Sequence, residues 1–341
     1  MTKTKSEAFT IRDVAREAGV SVATVSRFIN RTAPVSAETA ARLRQVMEAF
    51  KYVPQAMARN LATHKTHTVG LLLVDIQGDF FAPLLNGIEA ATSEAGYDLL
   101  ISCSRPSVHH EHSPDPLGPH NSDGVLVFAD SIEDRVLKEF YASNFPTVLI
   151  HRTPPAGVEF PCVTVENKAA SRKIVEHLIE AHGRRRIVLL RGPRQQEDAA
   201  WREAGYRQAL DEHGLPFDPQ LIATGEFDRA IARASMQALI RAGIQFDAVF
   251  SGDDEAAVGV LAALAEANLS VPEDVSVVGF DDQRMSPYLT PPLTTVRAPT
   301  EEVGREAARQ LLQILGGNPA VPSTKLLPTE IIFRRSCGCK D

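Results

Sequence analysis

A short stretch near the amino terminus holds side chains suited to reading DNA. Thr10, Ser21, Thr24, Ser26 and Asn30 are small hydrogen-bonding groups, and Val22, Ala23 and Arg27 lie among them. Arg27 can bond bidentately to guanine, and Val22 and Ala23 can touch a thymine methyl. The short polar groups suit phosphate oxygens, whose contacts set register and carry no sequence information. This chemistry needs a helix whose first turns enter the major groove while a second helix crosses the backbone.

The local pattern supplies those helices. Thr10 can cap a helix from Ile11, with Ile11, Val14, Ala15 and Ala18 on one apolar face. Gly19 tolerates the positive φ of a tight turn, and Val20 can plug the angle behind it. Ser21 can cap a second helix from Val22 to about Asn30, buried through Val25, Phe28 and Ile29. Its outward face is then Val22, Ala23, Ser26, Arg27 and Asn30. A third helix is expected over Ser36–Phe50, apolar at Ala40, Leu43, Val46, Met47 and Phe50. Two short helices around a glycine turn match a helix-turn-helix; a small bundle that binds protein fits the same pattern.

Charge favours the first reading, although a basic surface is equally a solvated helical face. Residues 1–66 carry eleven Lys/Arg against five Asp/Glu, a net of +6, so the remainder of a chain of formal charge −7 carries −13. A basic head on an acidic body suits a polyanion at the head alone. The 341 residues, 44% hydrophobic and 6% aromatic, allow about two or three domains. Apolar runs such as Val69–Val74 fall far short of the roughly 18 residues of a membrane span. Met1–Ala8 lacks the apolar core of a signal peptide, and Cys103, Cys162, Cys337 and Cys339 give no disulfide framework. The expectation is a reduced, cytoplasmic chain without membrane association.

From Thr68 short apolar runs alternate with amphipathic stretches. Strands are expected at Val69–Val74, Tyr97–Ser102, Gly124–Phe128, Thr147–Ile150, Cys162–Val165, Ile187–Arg191, Ala248–Ser251 and Val275–Phe280. Helices are expected at Phe81–Glu94, Ile132–Ser143, Lys168–Ala181, Trp201–His213, Asp228–Ala242, Glu255–Ala267 and Thr300–Leu315. Such βαβ alternation predicts parallel sheets flanked by helices, and its length predicts two halves.

TIRDVAREAGVSVATVSRFINRTAPVSAETAARLRQVMEAFKYVPQAMARNLA, residues 10–62, resembles the headpiece of the lac repressor/galactose repressor family. The fold so implied is a small all-α helix-turn-helix headpiece plus an α/β two-lobed periplasmic-binding-protein-like core. The implied domains are a DNA-binding domain at 1–53, a hinge helix and linker at 54–67, and an effector-binding and dimerisation core at 68–341. Lobe one would span about 68–165 and 296–323, and lobe two about 166–293 and 324–341. The resemblance assigns operator reading to Val22, Ala23 and Arg27, with a palindrome centred on a CG step. It makes Gln55–Leu61 a hinge helix, too short to be stable alone. Ala58 and Leu61 would meet DNA there, and Leu61 would wedge into the minor groove.

The resemblance extends over the core and implies a site for a small-molecule effector. Ligands of open α/β sheets lie outside the carboxyl ends of strands, near Phe80 and Asp281 in this chain. Phe80 and Phe81 match the family's aromatic step after the first strand. Gln196, Asp198 and Arg202, in RGPRQQEDAAWREAGY, match polar contacts; Phe227 matches a second aromatic wall; Asp253 stands where the family often has Asn, and Asp281 matches an acid that often accepts hydroxyl bonds. Taken singly, each is equally a capping acid, a surface arginine or a core phenylalanine. Together they suit a mono- or oligosaccharide, although purine and nucleoside sensors share the scaffold.

The stretch Arg105–Asn121 departs from the family, with four prolines and four histidines over 17 residues. Pro106, Pro114, Pro116 and Pro119 exclude a continuous helix and leave open how first lobes pack in a dimer. His109, His110 and His112 with Glu111 have metal-binding types, but the plainer reading is a solvated loop. Enzyme motifs are missing: no G-x-G-x-x-G follows a strand, and no G-x-x-x-x-G-K-[ST], H-E-x-x-H or G-x-S-x-G occurs. Cys337 and Cys339 lack a second cysteine pair, so no zinc site is expected there. The expectation is a non-enzymatic regulator without cofactor, paired as a homodimer on operator DNA because the tail Arg334–Asp341 has no heptads. A solute-binding protein and a Rossmann-type enzyme are the alternatives.

Overall fold

The amino-terminal helices form around a reciprocal cap. The Thr10 N–H donates to Asp13 Oδ2 at 2.9 Å, and the Asp13 N–H donates back to Thr10 Oγ1 at 3.4 Å. This capping box starts α1 (Ile11–Glu17). Gly19, at φ +64°, turns the chain into α2 (Val22–Asn30), capped by Ser21, whose Oγ accepts from the Thr24 N–H at 3.1 Å. Helix α3 (Ala37–Ala49) is capped by Ser36. Val14, Ala15, Ala18, Val25 and Leu43 form the core, with Val20, Phe28, Ile29, Val46 and Met47 packed around it. The described residues, in this computed structural model, are 9–30, 33–52, 65–103, 117–318 and 323–340. The chain divides into two compact units, Met1–Thr66 and His67–Asp341.

Among its described residues the second unit contains two six-stranded sheets. The first is built from β1 (Thr68–Leu73), β2 (Asp98–Cys103), β3 (Gly124–Phe128), β4 (Thr147–Ile150), β5 (Cys162–Val165) and β11 (Thr324–Leu327), in the order β11-β5-β4-β3-β1-β2. Its described pairings are parallel. Helices α4 (Phe81–Glu94), α5 (Asp134–Ala142) and α10 (Thr300–Leu315) belong to this lobe. Strand alternation sorts the side chains: Val69, Leu71 and Leu73 face one core with Leu84 and Ile88, whereas Leu72, Val125 and Val127 face another with Val136, Leu137 and Phe140. Near-continuous apolar strands are what burial on both faces requires. Helices α4 and α10 touch closely enough that a Cβ on Gly87 would sit 1.9 Å from the Glu301 carbonyl oxygen.

The second sheet contains β6 (Ile187–Arg191), β7 (Ile222–Thr224), β8 (Ala248–Ser251), β9 (Ser276–Asp281), β10 (Thr294–Arg297) and β12 (Glu330–Ile332), in the order β12-β10-β9-β8-β6-β7. Only the β10–β12 pairing is antiparallel among the described strands. Its helices are α6 (Asn167–Glu180), α7 (Glu197–Glu212), α8 (Arg229–Arg241) and α9 (Asp254–Glu266). The chain passes between lobes after β5, between β10 and α10, and between β11 and β12.

These crossings correct the expected lobe boundaries. Thr294–Arg297 pairs with β9 and stays in lobe two, while Thr324–Leu327 pairs with β5 and belongs to lobe one. Both segments are four residues long and lack an apolar run: TTVR is buried around hydroxyls, and TKLL is an edge strand with three exposed residues. Neither gives the periodic signal that marks the longer strands. Strands β7 and β12, three residues each, escape for the same reason. Most of the Pro/His-rich stretch Arg105–Asn121, with His109, His110, Glu111 and His112, lies outside the described residues. At its described end Leu117 is buried under β1.

Candidate functional site

On the first unit the start of α2 is open to solvent. Val22 is 42% exposed, and Ala23 and Arg27 are exposed beside it. The Ser21 and Thr24 hydroxyls bond each other at 2.9 Å. The Thr10 hydroxyl donates to Asp13 Oδ2 at 2.8 Å. Its N–H is likewise given to Asp13, so both Thr10 donors serve the cap. Arg44 lies over the Phe28 ring and ties α3 to α2. The Asn30 side chain, Ala58, Leu61 and the hinge segment Gln55–Leu61 lie outside the described residues.

In the second unit the site grows from strand ends. Strand β9 ends at Asp281, which has φ +102° and is nearly buried. Helix α7 brings Arg202 to it, with Nη2 3.3 Å from Asp281 Oδ1. Arg202 Nε donates to Asn167 Oδ1 at 2.9 Å, Nη1 donates to the Gly252 carbonyl, and the guanidinium lies 3.7 Å from the centre of the Phe280 ring. Three elements thus fix one buried cation. Phe227 stands 5.5 Å from it and covers Gly192, where a Cβ would sit 2.2 Å from the ring.

One turn earlier on α7, Asp198 reaches across to lobe one. Its Oδ2 is 2.7 Å from His151 Nδ1, and its Oδ1 accepts from Asn167 at 2.7 Å and from the Thr164 hydroxyl at 3.3 Å. Burial pushes the Asp198 carboxyl up, but the His151 charge and hydrogen bond, with Arg202 and Thr164, outweigh it and hold it below the usual carboxylate range. A second link joins Glu197 to the Thr153 N–H at 3.0 Å and to its hydroxyl at 2.6 Å. Among the described residues, His151 Nε2 is buried without a hydrogen-bond partner, as is Gln283 Oε1. Buried polar atoms left open in this way cost stability unless a partner arrives.

A cavity of about 430 Å³ opens beside this network. Phe80, Asp281, Gln283, Arg297, Thr300 and Arg305 are among its lining residues, so both lobes contribute. Phe80 stands edge-on to Phe81 and Phe128, with its ring 6.1 Å from His151. Burial and the Asp281 charge raise the Asp253 carboxyl well above its usual range; burial raises Asp281 too, against Arg202.

Of the residues expected from sequence, Phe80 and Asp281 line the cavity, and Asp198, Arg202 and Phe227 form the polar and aromatic network behind it. Asp253 caps α9, accepting from the Ala256 N–H at 2.9 Å. Gln196 occupies the cap position of α7 without a side-chain cap bond, and Phe81 packs against the lobe-one core. His151, Asn167 and Gln283 were missed. His151 directly follows β4, so the strand-end rule that marked Phe80 and Asp281 applied to it as well. A different omission concerns the tail. No zinc site was expected at Cys337 and Cys339, yet the fold brings them beside His177 and His182, all four ligand atoms lying within 4.8 Å of one another.

Comparison with known proteins covers both units. Residues 10–55 match bacterial regulatory proteins of the lacI family, and residues 175–337 match the periplasmic binding protein-like domain. The HTH-type transcriptional regulator CelR of Thermobifida fusca is 33% identical, covering 96% of this chain and 98% of that protein. The HTH-type transcriptional repressor CytR of Escherichia coli K12 is 33% identical over 98% of both. Among solved structures, the CelR–cellobiose complex has 32% identity and a TM-score of 0.73, covering 96% of this chain and 99% of that one. A lac repressor dimer bound to operator and the anti-inducer ONPF has 25% identity and a TM-score of 0.80, covering 97% and 99%. No described helix is long and apolar enough to cross a membrane.

Proposed function

Because this chain belongs to the lacI family of bacterial regulatory proteins, we propose that it is a cytoplasmic, non-enzymatic transcriptional repressor that binds a palindromic operator as a homodimer and answers to a saccharide held between its lobes. The observation that carries the effector reading is Arg202. Its guanidinium stands over the Phe280 ring at 3.7 Å from the centre, is bonded to Asn167 and Asp281, and belongs to a network that borders a cavity lined from both lobes. Acids that accept hydroxyl hydrogens, a cation that donates, and the aromatic faces of Phe80 and Phe227 form the combination of acceptors, donor and apolar walls that a polyhydroxylated ring requires. The cellobiose bound by CelR supports a mono- or oligosaccharide as the class.

In the mechanism, Val22, Ala23 and Arg27 read base edges from the start of α2, while Ser21, Thr24, Ser26 and Asn30 approach phosphates. Thr10 acts by holding α1 in place. Two headpieces meet successive major grooves about one helical turn apart, with Ala58 and Leu61 between them at the dyad. A saccharide that bonds Asp281 from lobe two and Thr300 or Arg305 from lobe one, with Arg202 holding Asp281 from behind, favours one angle between the lobes. Such coupling is typically about 1–3 kcal/mol, or roughly tenfold to a hundredfold in operator affinity.

The test is operator titration at fixed salt, with and without each of a panel of mono- and disaccharides. One sugar should shift operator affinity in the wild type and leave Arg202→Ala unaffected. If no sugar moves operator affinity while a purine or nucleoside does, the saccharide reading falls.

A further inference from the structure

Helix α6 ends beside the carboxyl-terminal tail. His177 lies in its last turn and His182 follows two residues after its end; Cys337 and Cys339 close the tail across from them. His177 Nε2 lies 3.1 Å from His182 Nε2, 3.6 Å from Cys337 Sγ and 3.4 Å from Cys339 Sγ, and His182 Nε2 lies 3.6 Å from Cys339 Sγ. We propose that His177, His182, Cys337 and Cys339 form a structural zinc site that clasps the tail to α6.

The distances carry the proposal. A tetrahedral zinc ion with bonds of about 2.3 Å to sulfur and about 2.0–2.1 Å to nitrogen needs ligand atoms roughly 3.4 Å apart for two nitrogens and roughly 3.6 Å for nitrogen and sulfur. Four of the six separations match those edges to within a few tenths of an ångström, and the other two, His182–Cys337 and Cys337–Cys339, lie within 4.8 Å, so the ion draws those ligands together. Two thiolates and two imidazoles form the borderline-soft set that selects zinc over magnesium or calcium. With four protein ligands the site is closed, which marks a structural site and not a catalytic one.

The backbone around the sulfurs is prepared for chelation. Gly338, between the cysteines, sits at φ +111°, and a Cβ there would meet the His182 ring at 2.9 Å. A glycine therefore lets both sulfurs turn toward the same pair of rings. The Ser276 hydroxyl donates to the Cys337 carbonyl at 2.8 Å, Ser336 Oγ donates to the Val277 carbonyl at 2.6 Å, and the Thr294 hydroxyl stands 3.1 Å from Cys337 Sγ. These contacts hold Cys337 buried at the start of β9, whereas Asp281 and the effector cavity lie at its other end. Zinc binding releases the two thiol protons to solvent and leaves both imidazoles neutral. Because the tail is the last segment of lobe two, the ion ties it to the first helix of that lobe.

The test measures metal in the full-length protein. Purified wild type, and wild type stripped by chelator and reloaded with Zn²⁺, should each hold one zinc per chain after gel filtration. Cys339→Ser and His182→Gln should each lose it. A Cys103→Ser variant, and a triple variant His109→Gln, His110→Gln and His112→Gln, should keep it, which separates the clasp from the histidine-rich stretch. Cobalt substitution of the wild type should give the thiolate charge-transfer and ligand-field bands of a tetrahedral S₂N₂ site, a readout independent of whether the variants fold. Three outcomes would overturn the assignment: no retained zinc in reloaded wild type, a cobalt spectrum without thiolate bands, or loss of zinc in the histidine triple variant with retention in Cys339→Ser.

Discussion

His151 Nδ1 and Asp198 Oδ2 lie 2.7 Å apart on opposite lobes, both nearly buried. Each group loses its short cross-lobe partner when the other leaves, although Asp198 keeps Asn167 and Thr164, and His151 Nδ1 keeps the Thr164 hydroxyl at 3.1 Å. Breaking a buried pair from one side typically costs about 3–5 kcal/mol. Asp198→Ala should therefore destabilise the core by about that amount in urea unfolding. His151→Ala should add little to it, because the stranded partner is already gone. A double-mutant cycle should return a coupling of about 1 kcal/mol or more. Additive single effects would show that the lobes are held by other contacts.

Arg202 tests the effector site without removing its charge. Lysine cannot stand over Phe280 while bonding Asn167, Gly252 and Asp281, because it lacks the planar fork. Arg202→Lys should weaken effector binding at least about tenfold, equivalent to about 1.4 kcal/mol. Operator affinity without effector should stay at the wild-type value. Calorimetry with the sugar identified by operator titration checks the first, and titration of operator alone checks the second.

Arg27 is exposed beside Val22 and Ala23 at the start of α2. A bidentate contact to guanine contributes about 1–3 kcal/mol of discrimination. Arg27→Ala should lose about that much operator affinity and bind operators substituted at one base pair of each half-site as well as the parent operator. Affinities measured over a set of single-base operator variants at one salt concentration distinguish this from a phosphate contact, which would weaken all of them alike.

What sequence revealed of this protein followed the continuity of its apolar runs more than their length, since the four-residue strands Thr147–Ile150, Cys162–Val165 and Ala248–Ser251 match their expected bounds. The strand at Gly124–Phe128 and the helix at Phe81–Glu94 match their expected bounds, because each is a sustained apolar pattern between turn residues. Strands β7, β10, β11 and β12 are short and interrupted by hydroxyl, charged or small residues, and two of them moved the lobe boundaries. The site divides similarly. Phe80 and Asp281 could be placed from strand ends and family resemblance, but His151 meets Asp198 only through the fold, 47 positions away in the chain. His177 and Cys339 are farther apart still. The sequence shows two cysteines without a second cysteine pair; only the return of the tail onto α6 shows that histidines take that place.

Asp254 predicts a pH dependence of opposite sign to that of most carboxylates. It is fully buried at the start of α9. Ser286 and the Gln283 N–H donate to Oδ2 at 2.5 and 2.9 Å, and Thr295 donates to Oδ1 at 2.6 Å. Burial raises its pKa to about 7; the donors from Ser286, Thr295 and Gln283 lower it only in part, and the charge of Asp281 opposes them. The folded chain thus holds a proton that the unfolded chain, at about 3.9, has released. The stability contributed is complete below pH 4 and falls as pH rises through 7, because the native state binds more protons across that window. Its full scale is on the order of 4 kcal/mol. Asp254→Asn resembles the protonated acid and should remove this dependence, since the Ser286 or Thr295 hydroxyl can turn to accept from the amide. Urea unfolding followed by circular dichroism from pH 5 to 8 should show the variant gaining on the wild type up to about pH 7 and then holding a constant difference. A difference that does not change over the range would mean that Asp254 is already ionised in the fold at pH 5, with its three donors outweighing burial.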